Sequence, residues 1–191
     1  LKNENNFENI IKTIRSEYYN KIQKLSNKLY ITDKLPMNFR WIGFIIKAFP
    51  EAKIIHLNRN PMAVCWSNYK INFNNVGMDF SLSQQNIAEY YILYKDLMKY
   101  WFEKFNGKII DVNYEEFVSN HENVIKIIIN KSNLEWEDNL KNHQKNKRPI
   151  ETASLYQVRG KIFQNSSQQW KKYKDYLKPM QDILKANNVI F

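Results

Sequence analysis

The stretch from Lys53 to Asn58 constrains the fold more than any other part of the chain, because it carries the clearest strand pattern. Its residues, Lys-Ile-Ile-His-Leu-Asn, are mostly apolar and β-branched, and they run directly into Arg59-Asn60-Pro61. Asn60 suits a helix N-cap and Pro61 the first helical position, so a helix is predicted to continue through about Asn72. A strand that passes straight into a helix is the repeating unit of α/β proteins.

Strand and helix patterns alternate along the rest of the chain as well. Strands are predicted at Leu29–Thr32, Lys53–Asn58 and Lys108–Val112. Helices are predicted at Phe7–Leu25, Phe39–Phe49 (buried), Leu82–Phe105, Tyr114–Val118, Val124–Ile129 and Ser166–Lys185. Glu137 to Gln164 lacks periodicity, and a loop of that length is usually functional or mobile. The alternation predicts an α/β fold with a central parallel sheet covered by helices, in one domain over residues 1–191.

The size and composition of the chain exclude several classes of protein. Its 191 residues can enclose one sizeable core, and 43% hydrophobic residues exclude global disorder. No window holds the roughly 18 consecutive apolar residues of a membrane span, so none is expected. Cys65 is the only cysteine, which excludes an intrachain disulfide and favours a reducing, cytoplasmic location without a metal site.

The net charge of +10 raises the question of a nucleic-acid partner. The chain holds 24 lysines but 5 arginines, together with 26 asparagines and 23 isoleucines, and AT-rich codon usage produces this pattern without selection for polyanions. The composition therefore does not predict a nucleic-acid partner. Each arginine is correspondingly informative, because its planar group suits bidentate phosphate recognition.

Candidate functional residues follow the predicted strands. Lys34 comes after the first strand, Arg59 after the second and Tyr114 after the third. Ligands of open parallel sheets bind outside the carboxyl ends of the strands, where helix N-termini also favour anions. Ser67 lies two turns into the helix after Arg59, so its hydroxyl could share an anion with the guanidinium. The pattern indicates a basic site for an anionic ligand.

The same residues resemble consecutive motifs of the sulfotransferase superfamily, in the bacterial branch that is often joined to tetratricopeptide repeats and related to tyrosylprotein sulfotransferases. The motifs occur in the family's order from about residue 31 to residue 177. They are Thr32 to Phe39, Ile54 to Pro61 with Ser67-Asn68-Tyr69, Tyr90 to Trp101, Val112 to Val118, Arg148 to Ser154, Gln157-Val158-Arg159, and Ser166-Ser167 to Trp170. The resemblance implies a three-layer, P-loop-like fold.

The resemblance also implies a reaction and a donor. Such enzymes move a sulfuryl group from 3′-phosphoadenosine 5′-phosphosulfate, a co-substrate, to a hydroxyl or amine, and release 3′-phosphoadenosine 5′-phosphate. By resemblance, Arg59 and Ser67 hold the 3′-phosphate. Lys34 neutralises the bridging oxygen and the transferring group, and Ser154 assists at the same place. Fixed cations that face a leaving group as it gains negative charge lower the barrier.

Further residues are assigned to the donor in the same way. Tyr114 and the Arg159-Gly160-Lys161 loop are expected to border the adenosine and its phosphate. Family members often have proline where Gly160 stands, and aspartate is common where this chain has Asn60. As an N-cap, asparagine serves as well as aspartate.

One family element is missing from the sequence. The family begins with a glycine-bearing strand-loop-helix that wraps the 5′-phosphosulfate in backbone N–H groups, followed by a carboxylate expected to be the catalytic base. The four glycines, at 43, 77, 107 and 160, form no such loop. We expect both elements upstream of Leu1, so that this truncated domain alone is inactive.

Two alternatives stay open at this point. A basic nucleic-acid-binding module would explain the charge, and it predicts binding that weakens steeply with salt. A non-catalytic relative that binds the donor would explain the motifs without turnover. The acceptor is unknown, since a peptide tyrosine, a sugar and a small phenol all fit the sequence.

Overall fold

The computed structural model describes residues 2–71, 73, 77–140 and 164–191. Within these ranges two parallel strands are flanked by helices. The strands are β1 (Ile54–Asn58) and β2 (Ile109–Asn113). The α-helices are α1 (Lys2–Gln23), α2 (Ile42–Ala48), α3 (Pro61–Tyr69), α4 (Gln84–Lys104), α5 (Tyr114–Ser119), α6 (His121–Lys131) and α7 (Lys178–Ala186). The 3₁₀ helices are Pro36–Trp41, Asp79–Leu82 and Ser166–Leu177.

The register of the two strands decides which side chains meet. Ile54 pairs with Ile109 at one end and Asn58 with Asn113 at the other, so both strands stop at the same level. The crossover between them contains α3 and α4, as a parallel pair requires. The parallel sheet with flanking helices confirms the α/β class expected from the sequence.

The largest buried cluster joins α3 and α4 to the C-terminal helices. It places the 3₁₀ helix Ser166–Leu177 against α3, where the rings of Trp66 and Tyr173 lie 4.6 Å apart. Burial of each large apolar side chain contributes roughly 1.5–3 kcal/mol. The cluster contains Met62, Ala63, Cys65, Ile87, Ala88, Tyr91, Trp170, Leu177, Met180, Leu184 and Val189.

Four predicted elements have the expected place but different limits. The predicted strand Lys53–Asn58 is β1, and the predicted strand Lys108–Val112 is β2 shifted by one residue. The helix predicted from Ser166 is divided at Leu177, because its first part is wound as a 3₁₀ helix. The predicted buried helix Phe39–Phe49 is likewise divided after Trp41, and Trp41 and Phe44 are exposed.

The strand predicted at Leu29–Thr32 is wrong. These residues are irregular, and no described strand pairs with them. Their side chains lie in solvent, with Leu29 87% exposed, so the apolar pattern has no partner to pack against. A strand is stabilised by its neighbours, and a local pattern cannot supply them. Lys34 therefore follows an irregular segment, and the sheet does not place it.

The long first helix is attached to the sheet layer through a polar cluster. Arg15 Nη2 in α1 lies 2.7 Å from Glu51 Oε1, and Arg15 Nη1 lies 3.1 Å from Oε2. The hydroxyl of Tyr19 donates to the same carboxylate at 2.8 Å.

No helix in the described ranges is long and apolar enough to cross a membrane.

This cluster predicts a stability change in acid. The hydrogen bonds from Arg15 lower the pKa of Glu51 to about 2. A lowered folded-state pKa stabilises the protein above the unfolded pKa, and this contribution is lost as pH falls from about 4.5 towards 2. We expect the melting temperature of the native chain to fall more steeply over that window than that of Glu51→Gln, measured by circular dichroism.

The matched control is Glu17→Gln, which changes an exposed glutamate of α1 without a described ion pair. Its pH profile should follow that of the native chain. Equal slopes for the native chain and Glu51→Gln would show that the pair does not stabilise the fold.

Candidate functional site

The candidate site begins where β1 passes into α3. The Asn60 side chain caps α3 by accepting a hydrogen bond from the backbone N–H of Ala63 at 2.9 Å, and Pro61 fills the first turn. The backbone N–H of Asn60 donates to Glu115 Oε1 at 3.2 Å, which ties this junction to α5. The local sequence thus fixes the backbone on both sides of Arg59.

The side chain of Arg59 is held by two neutral groups. Its Nε donates to Ser167 Oγ at 3.1 Å. Its Cζ lies 4.5 Å from the centre of the Tyr114 ring, a cation–π arrangement. The Tyr114 hydroxyl in turn shares a hydrogen bond of 2.8 Å with Ser166 Oγ. Residues from α5 and the C-terminal 3₁₀ helix therefore hold the guanidinium in one orientation.

The charge of Arg59 is not balanced by a carboxylate of the described residues. None of their ion pairs includes it, and Nε is its only described hydrogen-bond donor in use. Arg59 is half-buried, so water screens its charge only in part. Neither terminal amino group has a described partner, and guanidinium grips a phosphate through two such groups.

Ser67 lies on the helix that begins beside Arg59. It is half-buried in α3, and its hydroxyl makes no hydrogen bond with a described residue. No described hydrogen bond joins it to Arg59. The role of the Ser67 hydroxyl in holding a phosphate stays a prediction.

Lys34 is exposed, and no described contact joins it to Arg59, Ser67 or Tyr114. Its neighbour Asp33 accepts a hydrogen bond of 3.0 Å from the hydroxyl of Tyr18 in α1. The segment that carries Lys34 is thus tied to the first helix. The convergence of Lys34 with the other candidates is not seen in the described contacts.

The other predicted site residues lie outside the described part of the chain. They are Ser154, Arg159, Gly160 and Lys161.

His56 forms a polar chain within the sheet. Its Nδ1 lies 2.7 Å from Asp111 Oδ1, on the residue that pairs with it in β2. Its Nε2 forms a hydrogen bond with the Tyr94 hydroxyl from α4, and burial raises the pKa of Tyr94 to about 12. Through these contacts His56 links both strands to α4.

Sequence reasoning gave no role to Ser166, Ser167 or Glu115. Their motifs were visible in the sequence, but their contacts with Arg59, Asn60 and Tyr114 join residues 52 to 108 positions apart.

In the described ranges, no three His, Cys, Asp or Glu side chains cluster as a metal site would require.

Comparisons with known proteins identify the family of the chain. A family model described as "Sulfotransferase family" matches residues 2–138, which include β1, β2, Arg59, Ser67 and Tyr114. An uncharacterized protein of Aquifex aeolicus (strain VF5) is 36% identical over 180 residues. That alignment covers 93% of this chain and 24% of the relative, so the chain spans about a quarter of that protein's length.

The N-cap of α3 predicts a measurable loss of stability. Replacing Asn60 by alanine removes the acceptor for the Ala63 N–H, so Asn60→Ala should lower the free energy of unfolding by about 1 kcal/mol in urea denaturation. Asn60→Ser is the control, because serine also caps helices, and it should lose clearly less. Equal losses in both variants would contradict a capping role.

Proposed function

The chain belongs to the sulfotransferase family, and on that basis we propose that it transfers a sulfuryl group from 3′-phosphoadenosine 5′-phosphosulfate to a hydroxyl or amine acceptor. In the proposed reaction the bond between sulfur and the bridging phosphate oxygen breaks, and a bond forms between sulfur and the acceptor atom. The acceptor proton passes to a base, and 3′-phosphoadenosine 5′-phosphate leaves. The class of acceptor is not part of the proposal.

The observation that carries the proposal is the set of contacts that the Arg59 side chain makes. Its guanidinium is half-buried, is supported by a ring and a hydroxyl, and has no carboxylate partner among the described residues. Such a group is matched to a dianionic phosphate. We assign the 3′-phosphate of the donor to Arg59, with the Ser67 hydroxyl as a second donor. Tyr114 is assigned to the nucleotide beside that phosphate.

The remaining roles concern the transferring group. Lys34 is proposed to place its ammonium on the bridging oxygen, where negative charge develops as the sulfur–oxygen bond breaks. The Lys34 side chain is exposed and has no described protein partner. Ser154 is proposed to assist there, and Arg159, Gly160 and Lys161 to border the adenosine and its phosphate. A fixed cation at that oxygen also orients the donor for transfer.

The proposal also concerns the contacts with the 5′-phosphosulfate and the catalytic base. None of the four glycines lies in a glycine-rich loop, so we assign the backbone contacts of the 5′-phosphosulfate, and the catalytic base, to protein outside these 191 residues. In this proposal the chain supplies the contacts with the 3′-phosphate, and turnover also needs the residues outside it. We place the protein in the cytoplasm, a reducing compartment that suits the buried free thiol of Cys65.

The proposal predicts the effect of removing one arginine. Arg59→Ala should weaken the binding of 3′-phosphoadenosine 5′-phosphate, measured by titration calorimetry, about 10- to 150-fold, because a charged hydrogen bond contributes roughly 1.5–3 kcal/mol. Arg40→Ala is the matched control, since it removes the same charge from the exposed Arg40 of the 3₁₀ helix Pro36–Trp41. The control should bind within about twofold of the native chain.

Two results would contradict the proposal. One is the absence of binding by the full protein at millimolar nucleotide, and the other is equal binding by the full protein with and without Arg59→Ala. If the protein does not bind the nucleotide but binds duplex DNA with an affinity that falls steeply as salt rises, the result would instead support the nucleic-acid alternative.

A further inference from the structure

We propose that Ser167 is a positioning residue for donor recognition, which holds Arg59 through Nε so that both terminal amino groups face the phosphate. The inference rests on the proposed function and adds a residue to it. The hydroxyl of Ser167 does not itself contact the nucleotide in this proposal. It acts through the orientation of the guanidinium.

The first support is the atom of Arg59 that Ser167 engages. Guanidinium has five N–H donors, one on Nε and four on the terminal nitrogens. Ser167 Oγ accepts from Nε, at 3.1 Å, and leaves the terminal pair unused among the described residues. A partner on a terminal nitrogen would compete with the bidentate grip on phosphate, whereas a partner on Nε does not.

The second support is the chemistry of the partners. Serine and tyrosine fix the guanidinium without cancelling its charge, because both are neutral. A carboxylate at the same place would neutralise the charge that a phosphate needs. Arg15 shows that contrast within this chain, since the carboxylate of Glu51 binds two of its nitrogens.

The third support is the rigidity of the serine itself. Ser167 is 5% exposed and starts the 3₁₀ helix whose Trp170 and Leu177 belong to the main core. A buried hydroxyl that lost Arg59 would lose its described partner, which costs free energy and keeps the pair together. The adjacent Ser166 holds the Tyr114 hydroxyl, so one turn of chain fixes both members of the Arg59–Tyr114 stack.

The test is a double-mutant cycle with two nucleotides. Calorimetry on the full protein compares 3′-phosphoadenosine 5′-phosphate with adenosine 5′-phosphate, which lacks the 3′-phosphate. We expect Ser167→Ala to weaken binding of the bisphosphate about three- to tenfold, less than the loss in Arg59→Ala, because Ser167 acts only through the orientation of the guanidinium. Binding of adenosine 5′-phosphate should be unchanged, and so should bisphosphate binding when Ser167→Ala is added to Arg59→Ala.

Two further variants keep the result interpretable. Ser167→Cys preserves the size of the side chain and replaces the oxygen by a weaker acceptor, so it should give a smaller loss of the same kind. Ser81→Ala is the matched control, because Ser81 is also buried, at 1% exposed, and its hydroxyl has no described partner. It should leave the affinity for both nucleotides unchanged.

Each other outcome overturns the inference in a recognisable way. Native affinity in Ser167→Ala would show that Arg59 needs no support from Ser167. Equal weakening for both nucleotides, or equal weakening in the Arg59→Ala background, would show that Ser167 maintains the fold or touches the nucleotide directly. Absence of bisphosphate binding by the unsubstituted protein would refute the proposed function, and the role of Ser167 with it.

Discussion

The parallel pairing of β1 with β2 is the constraint on which the candidate site depends. Five residues of each strand pair in register, so the strands end at Asn58 and Asn113 side by side. The next residues, Arg59 and Tyr114, are therefore neighbours although 55 positions separate them along the chain. A shift of the register by one residue would send alternate side chains to the opposite face and separate the pair. The backbone pairing thus comes first, and the cation–π contact follows from it.

The electrostatics of the site follow from the partners of Arg59. A charge that is partly removed from water costs free energy unless it is paired, and the described residues offer it no carboxylate. The ring of Tyr114 and the hydroxyl of Ser167 offset only part of that cost. The rest is available to an anion that binds there, which is the physical reason to connect this geometry with a phosphate.

The parts of the fold that depend on residues close together in the sequence could be predicted from it. β1, the N-cap at Asn60 and the start of α3 are determined by a few consecutive residues, and the structure confirms them. The strand at Leu29–Thr32 could not be judged locally, because a strand forms only where another strand accepts its hydrogen bonds. Lys34 was placed by that strand, so its position relative to Arg59 could not be predicted either. The contact between Ser167 and Arg59 joins residues 108 positions apart, and the order of motifs carries no information on such a pair.

Two arginines of this chain show why residue type alone does not identify a site. Arg15 and Arg59 each lie near tyrosine, and each makes a cation–π contact with a ring, at 5.0 Å for Tyr19 and 4.5 Å for Tyr114. Arg15 also meets both oxygens of Glu51, so its charge and its terminal donors are already used in attaching α1. Arg59 donates a hydrogen bond through Nε, and its terminal donors have no partner among the described residues. The partner of the guanidinium, more than the guanidinium itself, separates a structural arginine from one that is prepared to bind an anion.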